Sequence, residues 1–297
     1  MTSARAAVAS GAVRFPLDMY RYSETARRAD ARSRRDVANV MLELSQQLTL
    51  ATSAMLLPAE LDQALFRRFG EPKHLRRVDA FGPGVRHFTS GNATFPMPDL
   101  AAQGEDRKPI PPEQAAEFEV VFGRIFEAEL LRAGPELIPA ELASAAADID
   151  QRYVDYENTV AANIRGRNLA GELLELAVRA SDLGGIQEAV TEALTRLDLT
   201  WDGFIADLGP AGLQGFMDDL PTRYVTNVMR SAKLRQAEQP WEPNDFNDVL
   251  GLSVAAVYCD VVVTEKQWVH HLRRGKVDTK YSTELLHDVA ALSPCLS

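Results

Sequence analysis

Hydrophobic positions recur at spacings of three and four through the middle of the chain. In "PPEQAAEFEVVFGRIFEAELLRAG" a proline-rich start precedes apolar residues at Phe118, Val121, Phe122 and Ile125, and Gly134 stands as a stop. A second stripe, Ile149, Tyr153, Tyr156, Val160 and Ile164, belongs to a segment that ends in the double glycine Gly184–Gly185. Either one long helix or two helices broken near Gly166 satisfy that spacing. Shorter helical patterns continue through "IQEAVTEALTRL" and "PTRYVTNVMRSAKLRQ". The middle is therefore expected to be helical from about Pro112 to Ala237, with the tyrosines of the stripe in a core.

The two ends read differently. "GAVRFPL" (11–17) is a short apolar run after a glycine, and "VYCDVVVTE" (257–265) is β-branched and continuous, as in a strand buried on both faces. The first is followed by the helical "DMYRYSETARRA". The second is preceded by "NDFNDVLGLSVAAV", where Asn244 or Asp245 suits a helix cap. Strand and helix alternating at both ends, around a helical middle, imply an α/β fold with a small parallel sheet and a large all-helical insertion. The stretch "TFPMPDLAAQGEDRKPIPPEQ" (94–114), with five prolines, marks the junction. Residues 1–95 and 236–297 are thus expected to form one discontinuous domain, and 96–235 the insertion.

Composition changes this picture little, whereas charge changes it more. The 297 residues are 46% hydrophobic, enough for a sizeable core. No apolar run reaches membrane-spanning length and the N-terminus lacks a secretory core, so the reading is a soluble cytoplasmic protein with no membrane contact. The two cysteines, Cys259 and Cys295, have no CxxC partners, which argues against a disulfide framework and a thiolate zinc site. The net charge of −10 argues against a general nucleic-acid coat, but the charge is unevenly spread. Residues 1–95 carry 14 Lys+Arg against 9 Asp+Glu, while 96–235 carry 13 against 24. The basic charge is densest in "RYSETARRADARSRRD", which places Arg28 and Arg35 among the candidate phosphate contacts.

Open α/β sheets present their reactive edge at the carboxyl ends of the strands. Glu24 sits on the helix leaving the first strand pattern, Asp245 and Asp248 share a helix face at the start of the last helix–strand unit, and Glu265 follows that strand. Such carboxylates repel unless a cation joins them, and hard oxygen ligands select Mg²⁺ or Mn²⁺. The chemistry implied is metal-assisted phosphodiester hydrolysis, with Glu24, Asp248 and Glu265 as metal ligands and Asp245 as a fourth catalytic acid.

The combination of "VRFPLDMYRYSET", "NDFND" before a small-residue helix, and "YCDVVVTE" resembles the PIN-like nuclease superfamily. The resemblance covers roughly residues 11–70 and 236–290 and implies a Rossmann-like sheet, Mg²⁺ or Mn²⁺, and endoribonuclease activity on RNA, with no DNA expected. It makes Glu24 the second acid of such sites, Asp248 (or Asp245) the third and Glu265 the fourth; Asp260 matches an acid of equally structural role. Two departures stand out. The opening strand and its Asp are missing from "MTSARAAVAS", so the chain starts inside a longer frame, uses Asp18 instead, or has kept the fold and lost catalysis. The acid after Thr264 is also immediate, where many members place it one residue later. The alternative function is accordingly a degenerate PIN-like protein that binds or scaffolds a protein partner through its acidic helical region.

Other features weigh less. "FGPGVRHFTSG" lacks a P-loop lysine and reads as a turn, with Arg86 or His87 as possible substrate contacts. Adjacent His270 and His271 diverge on a helix and do not face one metal. Glu60 lies in an amphipathic helix.

Overall fold

The computed structural model describes residues 2–70, 74–89, 112–134, 140–236 and 239–296. Most of the proline-rich segment 94–114, with the expected boundary at 95/96, lies outside these residues; Pro112–Gln114 open a helix. In chain order the elements are α1 (Thr2–Ala9), α2 (Met19–Ala26), α3 (Ala31–Ser45), β1 (Leu48–Leu50), α4 (Ser53–Phe69), β2 (Phe81–Pro83), α5 (Gly84–Phe88), α6 (Pro112–Ala133) and α7 (Ala140–Gly166). They continue with α8 (Gly171–Gly185), α9 (Gln187–Arg196), α10 (Trp201–Asp218), α11 (Pro221–Leu234), α12 (Pro243–Tyr258), β3 (Val261–Val263), α13 (Lys266–Arg274), α14 (Val277–Tyr281) and β4 (Glu284–Leu286). Helices dominate, and the described residues between Pro112 and Gln236 contain no strand.

Contacts divide the chain along other lines than the expected ones. One unit comprises 1–50 and 81–140, the other 51–80 and 141–297. The reason lies partly in α4, whose Leu57, Leu61, Ala64 and Leu65 are buried among side chains of the helical middle.

In the first unit β1 pairs antiparallel with β2, and Leu17 adds a parallel bridge to Thr49. The strand expected over 11–17 shrinks to that bridge, in which the Leu17 amide donates to Leu48 and Leu17 accepts from Leu50, both at 2.9 Å. Pro16 has no N–H to extend the ladder. Helix α6 packs on α3 and α2. Its predicted apolar stripe does not enter the core: Phe118 is 40% exposed, Val121 55% and Ile125 58%. Leu131 and the carboxylate of Glu127 are buried instead.

Among its described residues the second unit has two apolar cores. Leu61 and Leu65 of α4 meet Leu194 of α9 and Phe204 and Phe216 of α10 in one. In the other, Trp268 and Leu272 of α13 lie with Val178 of α8, Met229 of α11, Val249 of α12 and Leu285 of β4. The long stripe on α7 forms one helix to Gly166; Tyr153, Val160 and Ile164 pack against this core, whereas Ile149 and Tyr156 are exposed.

The strand expected over 257–265 also shortens. Helix α12 continues to Tyr258 because Val249, Leu252 and Ala256 are buried at spacings of three and four, and Cys259, half-buried and extended, ends it. What remains is β3, paired in parallel with β4. The two sheets are separate, so the single parallel sheet joining the chain ends is not formed among the described residues. No described helix is long and apolar enough to cross a membrane.

Candidate functional site

The carboxylates singled out above divide between the units: Glu24 lies in the first, Asp245, Asp248, Asp260 and Glu265 in the second. Glu24 is exposed on α2 and accepts from Arg21 one turn earlier at 2.9 Å. Asp18, the suggested substitute acid, caps α2 by accepting from the Arg21 amide at 2.8 Å. Both acids there have local structural work.

In the second unit, Asp245 is buried at the third position of α12. It accepts from the Glu242 amide at 2.8 Å, closing a capping box, and from Lys233 Nζ at 2.6 Å. Lys233 is itself buried, with its ammonium 5.7 Å from the Trp241 ring. The charge of Asp245 is therefore already balanced by protein. Asp248, one turn on, accepts from the indole Nε1 of buried Trp268 at 3.0 Å. Because Trp268 lies in the first turn of α13, that bond draws the start of α12 to the segment that follows β3. Glu265 is exposed and stands at the N-cap of α13 without a side-chain capping bond. Asp260 keeps its side chain exposed, while its carbonyl accepts from Glu284 at 2.8 Å and supports the β3–β4 pair.

Among the described residues no group of three or more His, Cys, Asp or Glu is placed to hold a metal ion. A hard cation needs several oxygen ligands at about 2.0–2.6 Å. With Asp245 committed to Lys233, the donors present do not fit Mg²⁺ or Mn²⁺.

The arginines sort likewise. Arg35 is exposed on α3, and Arg28 is exposed with its Nη1 3.4 Å from Ser33. Arg86 is exposed on α5. Their neighbour Arg34, by contrast, is buried and donates to the carbonyls of Arg28, Arg132 and Ala133, so it closes the C-terminal end of α6. Gly134 makes room for it: a Cβ there would stand 2.1 Å from the guanidinium carbon, and its φ of +89° also favours glycine. One part of the basic run is thus a helix clasp.

Missed altogether was the polar character of α11, the helix against which α12, α8, α13, α10 and α4 pack. Thr222, Thr226, Asn227, Arg230, Ser231 and Lys233 are all buried on it. Glu60 of α4, also buried, accepts from the amide and hydroxyl of Thr222 and from Tyr258, the last at 2.9 Å. Burial pushes its carboxyl above the ordinary range, against the opposing pull of those bonds. Arg230 pairs with buried Glu157 at 2.8 Å, and Arg223 pairs with buried Asp182. Burial, followed by the repulsion of Arg230, brings Arg223 down to about 10. Perturbed groups of this kind occur at functional sites and in structural ion networks alike. Here each charge has an opposite charge beside it, although Glu157 Oε2, Asn227 Oδ1 and Ser231 Oγ lack a hydrogen-bond partner among the described residues. Polar residues at 222, 226 and 230, one turn apart, were the sequence signal; their acid partners lie on distant helices and left none.

Comparison with protein-family models, with curated proteins and with solved structures finds no match to this chain.

Proposed function

We propose that this chain is a binding module, built on a degenerate PIN-like framework, that docks a protein partner through its acidic helical region. The observation that carries this reading is the outward stripe on α6: Phe118, Val121 and Ile125 are exposed at helical spacing, with Phe122 stacked on Phe118 at a centroid distance of 6.2 Å. Apolar residues grouped on one exposed face mark interaction surfaces, whereas scattered ones need no explanation. Exposed Glu117 and Glu129 border the stripe along the helix. The complementary partner offers an apolar groove with a basic rim, the arrangement that receives an amphipathic helix. Replacing Val121 and Ile125 by Asp tests it. Both positions face solvent, so the melting temperature should be unchanged, while photo-crosslinking from position 118 to a discrete protein partner should be lost. A parent chain that forms no adduct in its native extract counts against the reading.

The second reading is a metal-dependent endoribonuclease, and one observation favours it. The Asp248–Trp268 bond draws the third acid toward the segment carrying the fourth. Its test is Mn²⁺-dependent cleavage of RNA that disappears in Asp248→Asn and Glu265→Gln. The metal misfit described above places it behind the binding reading.

A further inference from the structure

The face of α11 opposite its ion network borders a cleft of about 370 Å³, walled by α8 and α13 and by the Gly275–Lys276 turn. Four permanent cations line it, Arg179, Arg235, Arg274 and Lys276, against one carboxylate, Glu175. Arg179 is held by Asp218 at 2.8 Å, and Arg235 by Glu175. Arg274 and Lys276 are exposed, and neither has an acid partner among the described residues.

The floor supplies the independent observation. Ser231 and Asn227 line the cleft, are 3% and 0% exposed, and present Oγ and Oδ1 without a hydrogen-bond partner among the described residues. The Asn227 amide nitrogen is already committed to Asp182 at 3.0 Å, which fixes the side chain. A buried polar atom left unpaired is costly, and two of them on residues that line one cleft are what a ligand entering it would relieve.

From this we infer that the cleft binds a small phosphate ester carrying a neighbouring hydroxyl, of the sugar-phosphate or mononucleotide class. The phosphate takes charge-assisted bonds from Arg274 and Lys276 at the rim, and the tetrahedral oxygens accept from Ser231. Asn227 Oδ1 is an acceptor, which a bare phosphate dianion does not satisfy. A sugar hydroxyl donates to it. The volume suits one such unit, at the small end of ordinary ligand sites. Val228 and Ala232 leave an apolar strip for the carbon skeleton. The assignment uses only the second unit and stands independently of the α6 reading.

Isothermal titration of the full chain at low salt provides the test, with ribose 5-phosphate, inorganic phosphate, ribose, and a 5′-phosphorylated RNA tetranucleotide as probes. Ribose 5-phosphate should bind more tightly than phosphate, and ribose should not bind. Arg274→Gln with Lys276→Gln, both exposed, should weaken ribose 5-phosphate at least about tenfold, as expected when two charge-assisted contacts are lost. Ser231→Ala, nearly isosteric, should weaken it several-fold while leaving the melt unchanged or raised. Arg167→Gln, a cation of the same unit outside the cleft, should change nothing. Binding of the tetranucleotide as tight as ribose 5-phosphate assigns the phosphate to a strand end; its exclusion assigns it to a free ester. No binding at about 10 mM ribose 5-phosphate, equal affinity for phosphate alone, or indifference to the double substitution overturns the inference.

Discussion

Lys233 and Asp245, twelve positions apart on consecutive helices, form a buried ion pair of 2.6 Å. The same carboxylate closes the capping box of α12, so one side chain fixes both the end of α11 and the start of α12. An acid already joined to a buried ammonium does not repel its neighbours and does not await a cation.

Asp245→Asn should therefore destabilise. Removing one partner of a buried pair leaves the other uncompensated, at about 3–5 kcal/mol. Urea denaturation should show the midpoint falling, and a Lys233→Met, Asp245→Asn double variant should recover part of the loss. A cluster of metal-seeking acids would behave in the opposite sense, with the metal-free single variant as stable as the parent or more so.

Glu60 sets a pH dependence of definite sign. Its native value lies above the ordinary 4.5 because of burial. The folded chain thus holds that proton more tightly than the unfolded chain, and the stabilisation is complete below 4.5 and lost as pH rises through the native value. Glu157 is shifted in the same direction, also chiefly by burial. Urea midpoints measured from about pH 5 upward should decline in the parent. In Glu60→Gln, whose amide keeps the partners and does not ionise, part of that decline should vanish. A flat profile in the parent would contradict the assignment.

In the first unit, Glu127 accepts from the Tyr22 hydroxyl and, at 3.0 Å, from the Val85 amide. Gly84 precedes that amide with a φ of +66°, and a Cβ there would stand 2.5 Å from a Glu127 oxygen. Gly84→Ala combines backbone strain with this clash and should cost about 2 kcal/mol or more. Tyr22→Phe removes one bond to a buried carboxylate and should cost about 1–3 kcal/mol. Chemical denaturation of both variants checks the ranking, and an unchanged Gly84→Ala midpoint would refute the geometry.

Helical spacing was legible where it was long: α7 through Ile164 followed from periodicity, and α12 was expected as a helix, although its N-cap is Glu242 and not Asn244 or Asp245, with Asp245 at the third helical position. The direction of a stripe was not. Phe118, Val121 and Ile125 read as a core face because spacing reports a shared side and is silent on what covers it. Strands of three residues carry too few positions to show alternation, so β1, β2 and β4 passed unseen and the run at 257–265 was lengthened at the expense of α12. The site reading suffered from the same locality. Asp245 and Asp248 share a helix face as expected, yet their fate depends on Lys233 and Trp268, partners brought in by other helices. The cationic cleft draws on α8, α11 and α13 together, and no single stretch of sequence displays it.

The most direct measurement is a thermal melt of the full chain in EDTA and in about 5 mM MnCl₂, run in parallel on Asp248→Asn. With Asp245 satisfied by Lys233 and no group of three metal-ligating side chains among the described residues, the parent should shift by less than about 1 °C, and the variant should shift equally. A competent site filled to about a hundred times its dissociation constant would add about 2.7 kcal/mol, worth several degrees in a chain of this size. A rise of that order in the parent, absent from Asp248→Asn and accompanied by Mn²⁺-dependent RNA cleavage, would contradict the binding-module account and restore the nuclease.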